Sequence, residues 1–219
     1  MVLNRKLYPL VLIDIALFTI EDDALKVLLV KRAQEPEVGQ WALPGGILKP
    51  EIDQSLEGAA RRVLRDKVTV DIAHLKEVQT FSGPDRDPRG WSVAVLFYAL
   101  LPRDQIDALV RSKVEAVQWF DATKPGHRLA FDHQHQLGSA LRVLKEKVNA
   151  HALPLHLMPP LFTLTALQRT CEAILGRPLD KGVFRRKLSD SPDLVETGEY
   201  VRGPQRPAQL FKARDGFRF

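Results

Sequence analysis

The sequence of 219 residues predicts a two-domain chain of mixed α/β (α+β) class, and three observations carry that prediction. Apolar residues alternate with small or polar ones along Val11–Phe18 and run together at Leu25–Val30. They then switch to helical spacing at 56, 59, 60, 63 and 64, and return to strand-like runs at Glu77–Phe81 and Ser92–Leu101. Pro154, Pro159 and Pro160 next interrupt the chain after a long helical segment; proline cannot continue a helix and favours an extended connection. Beyond the prolines the pattern is a short helix, a stop, a second helix and two strands. The first domain is therefore placed at 1–150, the linker at 151–160 and the second domain at 161–219.

Each element has a local reason. Glu21-Asp22-Asp23 reads as the turn of an opening hairpin, and Gln34–Gln40, with Pro36 and Gly39, as a loop. Pro44-Gly45-Gly46 is a tight feature that brings the backbone close to a ligand. A helix is expected over Gln54–Lys67, a polar segment over Ser82–Gly90, a helix at Gln105–Lys113, a strand at Ala116–Phe120 and a long helix over Asp132–Ala150. In the second domain, Thr165 and Gln168 have capping-box spacing, with Leu167, Cys171, Ile174 and Leu175 at helical spacing behind them. Gly176 and Pro178 stop that helix. Asp180 can cap a second helix, Lys181–Ser189, that turns Val183, Phe184 and Leu188 inward. Leu194–Tyr200 and Ala208–Ala213 read as strands joined by residues 201–207. A helix, a tight turn, a basic helix and a basic hairpin are the parts of a winged helix-turn-helix module, and the long helix before the linker can serve as its first helix.

Charge points the same way. The net charge is +5, and residues 151–219 hold eleven Lys/Arg against seven Asp/Glu, so most of the excess lies in the last third. That favours a polyanionic partner, although solvated surface alone can produce such a bias. No apolar run reaches the length of a membrane span, and Met1–Lys6 lacks the apolar core of a signal peptide, so no membrane partner and a cytoplasmic location are expected. The single Cys171 excludes an internal disulfide and reads as a small apolar residue of a helix.

Two constellations carry chemistry. Gly83–Trp91 holds Arg86 and Arg89, Asp85 and Asp87, and Trp91 in a loop fixed by glycine and proline, where they can grip phosphate, ribose hydroxyls and a flat base respectively; a charged surface turn is the alternative. Arg32 at the end of the second strand, the backbone of Gly45 and Gly46, Arg62 and Phe131 complete the candidate ligand set, and Asp132 and His133, which follow Phe131, can line the same pocket. The helix that bears Arg62 also carries Arg61, Arg65 and Lys67; such a helix attracts phosphate and repels Mg²⁺, or else faces solvent or a DNA backbone. In the last module Lys181, Arg185, Arg186 and Lys187 are candidates for major-groove and phosphate contacts, and Arg202, Gln205 and Arg206 for a wing in the minor groove. A protein-binding module is the alternative.

Leu43-Pro44-Gly45-Gly46, with Trp41 before it and Leu56, Ala59, Ala60, Arg62 and Leu64 after it, resembles the box of the Nudix hydrolases, G-x5-E-x7-R-E-U-x-E-E-x-G-U with U aliphatic. The resemblance implies an α/β/α sandwich for the first domain. It also implies that the metal-binding glutamates are lost: their positions fall on Gln54, Val63, Asp66 and Lys67, and the closing glycine on Thr69. One carboxylate is too few for a hard cation, so no catalytic residue, no metal ligand and no cofactor are assigned. The alternative is an active pyrophosphatase with an accessory tail that draws on Glu51, Asp53, Glu57 or Asp66.

Phe162–Gln168, Leu175–Lys187 and Gly203–Phe211, together with Leu129-Ala-Phe-Asp-His133, are similar to the Nudix-related transcriptional regulators, the NrtR family, over nearly the whole chain. That likeness implies a homodimeric repressor, paired through its Nudix domains. It would bind a palindromic double-stranded DNA operator at NAD-metabolism genes and be released by ADP-ribose. Related regulators turn to sugar catabolism, which leaves a sugar-responsive regulator, and a sugar phosphate as effector, open.

Overall fold

The structure is a computed structural model and describes residues 8–68, 72, 74–102, 105, 117–150, 153–188, 191–201, 207–217 and 219. The first domain runs β1 (Leu10–Glu21), β2 (Ala24–Lys31), β3 (Trp41–Ala42), β4 (Gly45–Ile47), α1 (Leu56–Val68), β5 (His74–Gly83), β6 (Ser92–Leu100), β7 (Val117–Asp121) and α2 (His133–Asn149). Of the helix expected at 105–113, only Gln105 is among the described residues, and Thr69 and Ala116 are outside them.

The strands form one sheet in the order β3-β2-β1-β6-β5, with β4 added to β1 and β7 to β2. β1 and β6 pair in parallel from Leu10↔Ser92 to Phe18↔Leu100, and the other pairings are antiparallel. The central strand is buried on both faces, as a parallel pair covered by helices should be. Side chains alternate across it. Ile13, Ile15 and Leu17 meet Ala59, Ala60, Val63 and Leu64 of α1, while Ala16 and Phe18 join Leu137, Ala140 and Leu144 of α2. This is the expected α/β/α sandwich. Helix α1 starts at Leu56 rather than Gln54, because the Ser55 hydroxyl accepts the Gly58 N–H at 2.9 Å and caps it.

The second domain contains α3 (Leu164–Leu175), α4 (Lys181–Leu188) and the hairpin β8 (Leu194–Val201) and β9 (Ala208–Ala213). Three expectations are corrected by it. The cap of α3 is Thr163, whose hydroxyl accepts the Ala166 N–H at 3.1 Å; Thr165 lies inside the first turn, and Gln168 instead donates to Glu172 and the Leu179 carbonyl. Val183 does not face inward: it is 40% exposed, and only Phe184 and Leu188 anchor α4. The prolines do not produce an extended, exposed connector. Residues Leu155–Leu157 form a 3-10 turn, and Leu153, Leu155, Leu157 and Met158 are buried. They belong to one apolar cluster that continues from α2 into Leu167, Cys171, Ile174, Leu188 and Phe211, so α2 does act as the neighbouring helix of the module. Burial pushes the Cys171 thiol up to about 12, which leaves it a neutral packing group. Among the described residues no helix is long and apolar enough to cross a membrane.

Candidate ligand pocket and nucleic-acid interface

The glycine turn sets the pocket floor. β4 lies against β1 with Ile13↔Gly46 and Asp14↔Gly45 in register, and Ile15 N–H donates to the Pro44 carbonyl at 2.9 Å. A Cβ on Gly45 would collide with the Asp14 carboxylate and sit 3.0 Å from the Ile13 carbonyl; one on Gly46 would lie 3.0 Å from Val63 Cγ2. Glycine at 45 therefore lets β4 lie against β1 without displacing Asp14 or the Ile13 carbonyl, and glycine at 46 leaves room for Val63 of α1.

A cavity of about 870 Å³ opens above this turn, within the usual range for a cofactor-sized ligand. Arg32, Gly45, Gly46, Asp87, Arg89 and Phe131 line it, so six of the eight predicted ligand residues converge. Two do not. Arg62 is held by Asp53 through two bonds of 2.7 Å and by the Ile47 carbonyl at 3.1 Å, outside the cavity. Hydrogen bonds from Arg62 hold the Asp53 carboxyl down at about 2. Trp91 is 51% exposed and also lies outside the cavity; its carbonyl accepts the Leu10 N–H, which ties the loop to the start of β1.

Within the wall, Arg89 grips buried Asp87 at 2.6–3.2 Å. Burial opposes the Asp87 charge, but those bonds keep its pKa below the usual carboxylate range. Arg32 and Arg89 lie 4.7 and 6.0 Å from the centre of the Phe131 ring, a cation–π arrangement. Phe131 adopts φ +54°, a left-handed conformation that a bulky residue keeps only when its surroundings enforce it. Arg32 donates to the carbonyls of Pro36 and Gln34, and no ion pair to a carboxylate engages it among the described residues. Burial and the nearby Arg89 charge lower its pKa.

The layer beneath joins Arg86, Asp132 and His133, which the sequence placed at the pocket, to Asp14 and Gln136, which it did not. Arg86 binds both oxygens of Asp132 at 2.8 and 3.0 Å, reaches Ser92 at 3.1 Å and lies 3.8 Å from Asp14. Gln136 donates to Asp14 and to Asp132, each at 2.9 Å. Its Oε1 is buried without a hydrogen-bond partner among the described residues. The Leu43 N–H donates to His133 Nδ1 at 3.0 Å, so the neutral ring carries its proton on Nε2, which faces Asp14 at 3.6 Å. A charged residue within the apolar run of β1 was the one available signal for Asp14. For Gln136 the signal was its position four residues after Asp132, on the same helix face.

Two buried histidines and one half-buried one are held as bases. Burial lowers the pKa of His74 to about 3 and pulls those of His133 and His156 below their ordinary value. His74 stacks on His156 at 4.6 Å, contacts the Phe219 ring and lies 3.3 Å from the Tyr98 hydroxyl. The folded protein thus keeps these rings neutral, while the unfolded chain protonates them near pH 6.5. Stability should be level above about pH 7 and fall below about pH 6.5, with His74 contributing up to about 1.4 kcal/mol per pH unit down towards pH 3 and the other two rings adding in the same direction. Thermal melts across this range check it; His74→Phe should reduce the slope, and an unchanged slope would show that His74 does not contribute.

At the other end, Lys181, Arg185, Arg186 and Lys187 are all exposed on α4. The turn that presents α4 is built from specific bonds. Gly176 ends α3 at φ +70°, Leu179 N–H donates to Glu172 at 2.8 Å, and Val183 N–H donates to Asp180 at 2.7 Å. The hairpin docks through Phe162 and Phe211, which exchange backbone bonds of 3.0 and 2.8 Å. Arg202, Gln205 and Arg206 fall between β8 and β9 and lie outside the described residues.

With this geometry in place, the comparisons with known proteins are specific. Residues 154–213 match the NrtR DNA-binding winged helix domain, and residues 12–142 match the NUDIX domain. The chain is 40% identical over 205 residues to the ADPR responsive transcriptional repressor NtrR of Acinetobacter baylyi, covering 93% of this chain and 82% of the relative. It is similar to Shewanella oneidensis NrtR complexed with a 27mer DNA, with TM-score 0.85, 33% identity and 93% of each chain covered. It is also similar to the NUDIX domain of that NrtR complexed with ADP ribose, with TM-score 0.55 and 37% identity, over 63% of this chain and 89% of that one.

Proposed function

Because this chain belongs to the NrtR family of Nudix-domain repressors, we propose that it is a DNA-binding transcriptional repressor that responds to ADP-ribose. The observation that carries this reading is the double attachment of α2. Its N-terminal end brings His133 to the cavity and ties Asp132 and Gln136 to Arg86 and Asp14 of the cavity wall, and its C-terminal end packs Leu144 and Val148 into the core of the winged helix. Asn149 at that end also accepts from Arg177 beyond α3 at 3.1 Å.

In this reading the nucleotide enters the cavity with its diphosphate toward Arg32, Arg89 and the Gly45-Gly46 backbone, and with a flat ring against Phe131. The exposed basic face of α4 enters the major groove, with phosphates taken by Lys181 and Lys187 and base edges by Arg185 and Arg186. Residues 202–206 supply a wing to the minor groove. Two copies paired through their Nudix domains would read the two halves of a palindrome. Glu57 and Asp53 near α1 are held by arginines, which supports a domain that binds its ligand without hydrolysing it.

Ligand can release DNA only by binding more tightly to the state that fits DNA poorly. Here a ligand that shifts the Arg86–Asp132 anchor shifts α2, and with it the winged helix against its half-site. A mobility-shift titration tests this on a palindromic duplex selected from a random pool. Saturating ADP-ribose should weaken binding by about 5–150-fold, the usual span of coupling between two sites. Unchanged DNA affinity would sink the sensor reading, and release of AMP from ADP-ribose in Mg²⁺ would restore the enzyme reading.

A further inference from the structure

A Nudix domain implies a divalent cation beside α1, but the donors of this chain do not fit one. Asp53 takes both bonds from Arg62, Glu57 pairs with Arg61 at 2.9 Å, and Asp66 lies exposed, 3.6 Å from Arg62. Among the described residues no three His, Cys, Asp or Glu converge as a metal site, whereas a hard cation needs several oxygen ligands at once.

The cavity offers organic cations instead. Lys31, Arg32, Lys67, Arg86 and Arg89 line it, against only Asp14 and Asp87 among its carboxylates. Arg86 and Arg89 are already matched by Asp132 and Asp87. Lys67 is not: it is exposed and makes no ion pair among the described residues. It lies one turn of α1 beyond Val63, the residue packed against Gly46, and so lines the cavity on the side of the glycine turn. An ammonium on a four-carbon stem carries three donors and moves freely enough to follow a diphosphate.

We propose that Lys67 takes the place of the divalent cation, its ammonium binding the diphosphate of the ligand directly, so that nucleotide binding by this protein is independent of metal. The proposal rests on the reading that a nucleoside diphosphate occupies this cavity. It also accounts for binding without hydrolysis: an ammonium neutralises phosphate charge but does not generate a metal-bound hydroxide.

The test is calorimetric titration of ADP-ribose into the full chain, once with EDTA and once with Mg²⁺. Affinity should be the same in both. Lys67→Met should weaken it about tenfold at low salt, with the deficit shrinking as salt rises, and Lys67→Arg should keep most of it. Because Lys67 is exposed, melts of the free variants should match the parent. Binding that needs Mg²⁺, or Lys67→Met binding as tightly as the parent, would overturn the proposal while leaving the sensor reading intact. No binding in either buffer would overturn both.

Discussion

Replacing Arg86 with methionine should destabilise the free protein by about 3–5 kcal/mol, because it strips the partner from charges that are already desolvated. The Arg86 side chain is 7% exposed and serves Asp132, Asp14 and Ser92 together. Without it, Asp132 loses the bonds that hold its charge against burial, and Gln136 is left bridging two carboxylates. Methionine has comparable length, so packing changes little and the loss reports the charge. Urea unfolding measures it. The same variant should also lose ADP-ribose-dependent release of DNA, since its partner Asp132 adjoins the first turn of α2. A loss below about 1 kcal/mol would mean that water reaches the network and that the pair behaves as a surface ion pair.

The second large effect is expected on DNA. The double substitution Arg185→Ala, Arg186→Ala should weaken operator binding by at least thirtyfold, about 2 kcal/mol for the loss of base-edge contacts from α4. Lys181→Ala should instead weaken all duplexes alike and reduce the salt dependence by about one ion, as loss of a phosphate contact does. All three residues are exposed on a helix anchored from its other side by Phe184 and Leu188, so the melts should hardly move. Equal losses on operator and on random DNA for the arginine pair would show that these side chains meet phosphate rather than bases.

Most of the secondary structure was legible because it rests on local rules. Alternation, helical spacing and Gly176 located the elements to within a few residues, and Asp180 capped α4 as expected. Two of the misses share one cause, which is that a neighbour distant in sequence took over the local role. Thr165 had a capping spacing but Thr163 had the better geometry once Phe162 was pinned to Phe211. The prolines of 154–160 suggested a spacer, yet the apolar residues between them found a shared core against α2 and α3. Val183 matched the inward stripe by spacing alone, and a helix of eight residues is too short for that stripe to be decisive.

The candidate site divides along the same line. Arg32, Gly45, Gly46, Asp87, Arg89 and Phe131 were legible because strand ends, glycine turns and fixed loops place backbone and side chain together. Arg62 and Trp91 were chosen by residue type in the right segment, and type does not say which way a side chain is drawn.

The order of elements, the family, and a basic helix behind a helix-turn-helix turn are properties of the sequence alone, since they follow from spacing, turn residues and motif. Which charges are matched within the protein and which are left for a ligand emerges only in three dimensions. Arg62 meets Asp53 nine positions away, Arg86 meets Asp132 across 46, and Gln136 meets Asp14 across 122. An ion pair depends on a few ångströms of separation and on how much water the fold removes, and neither is written in the spacing of residues along a chain.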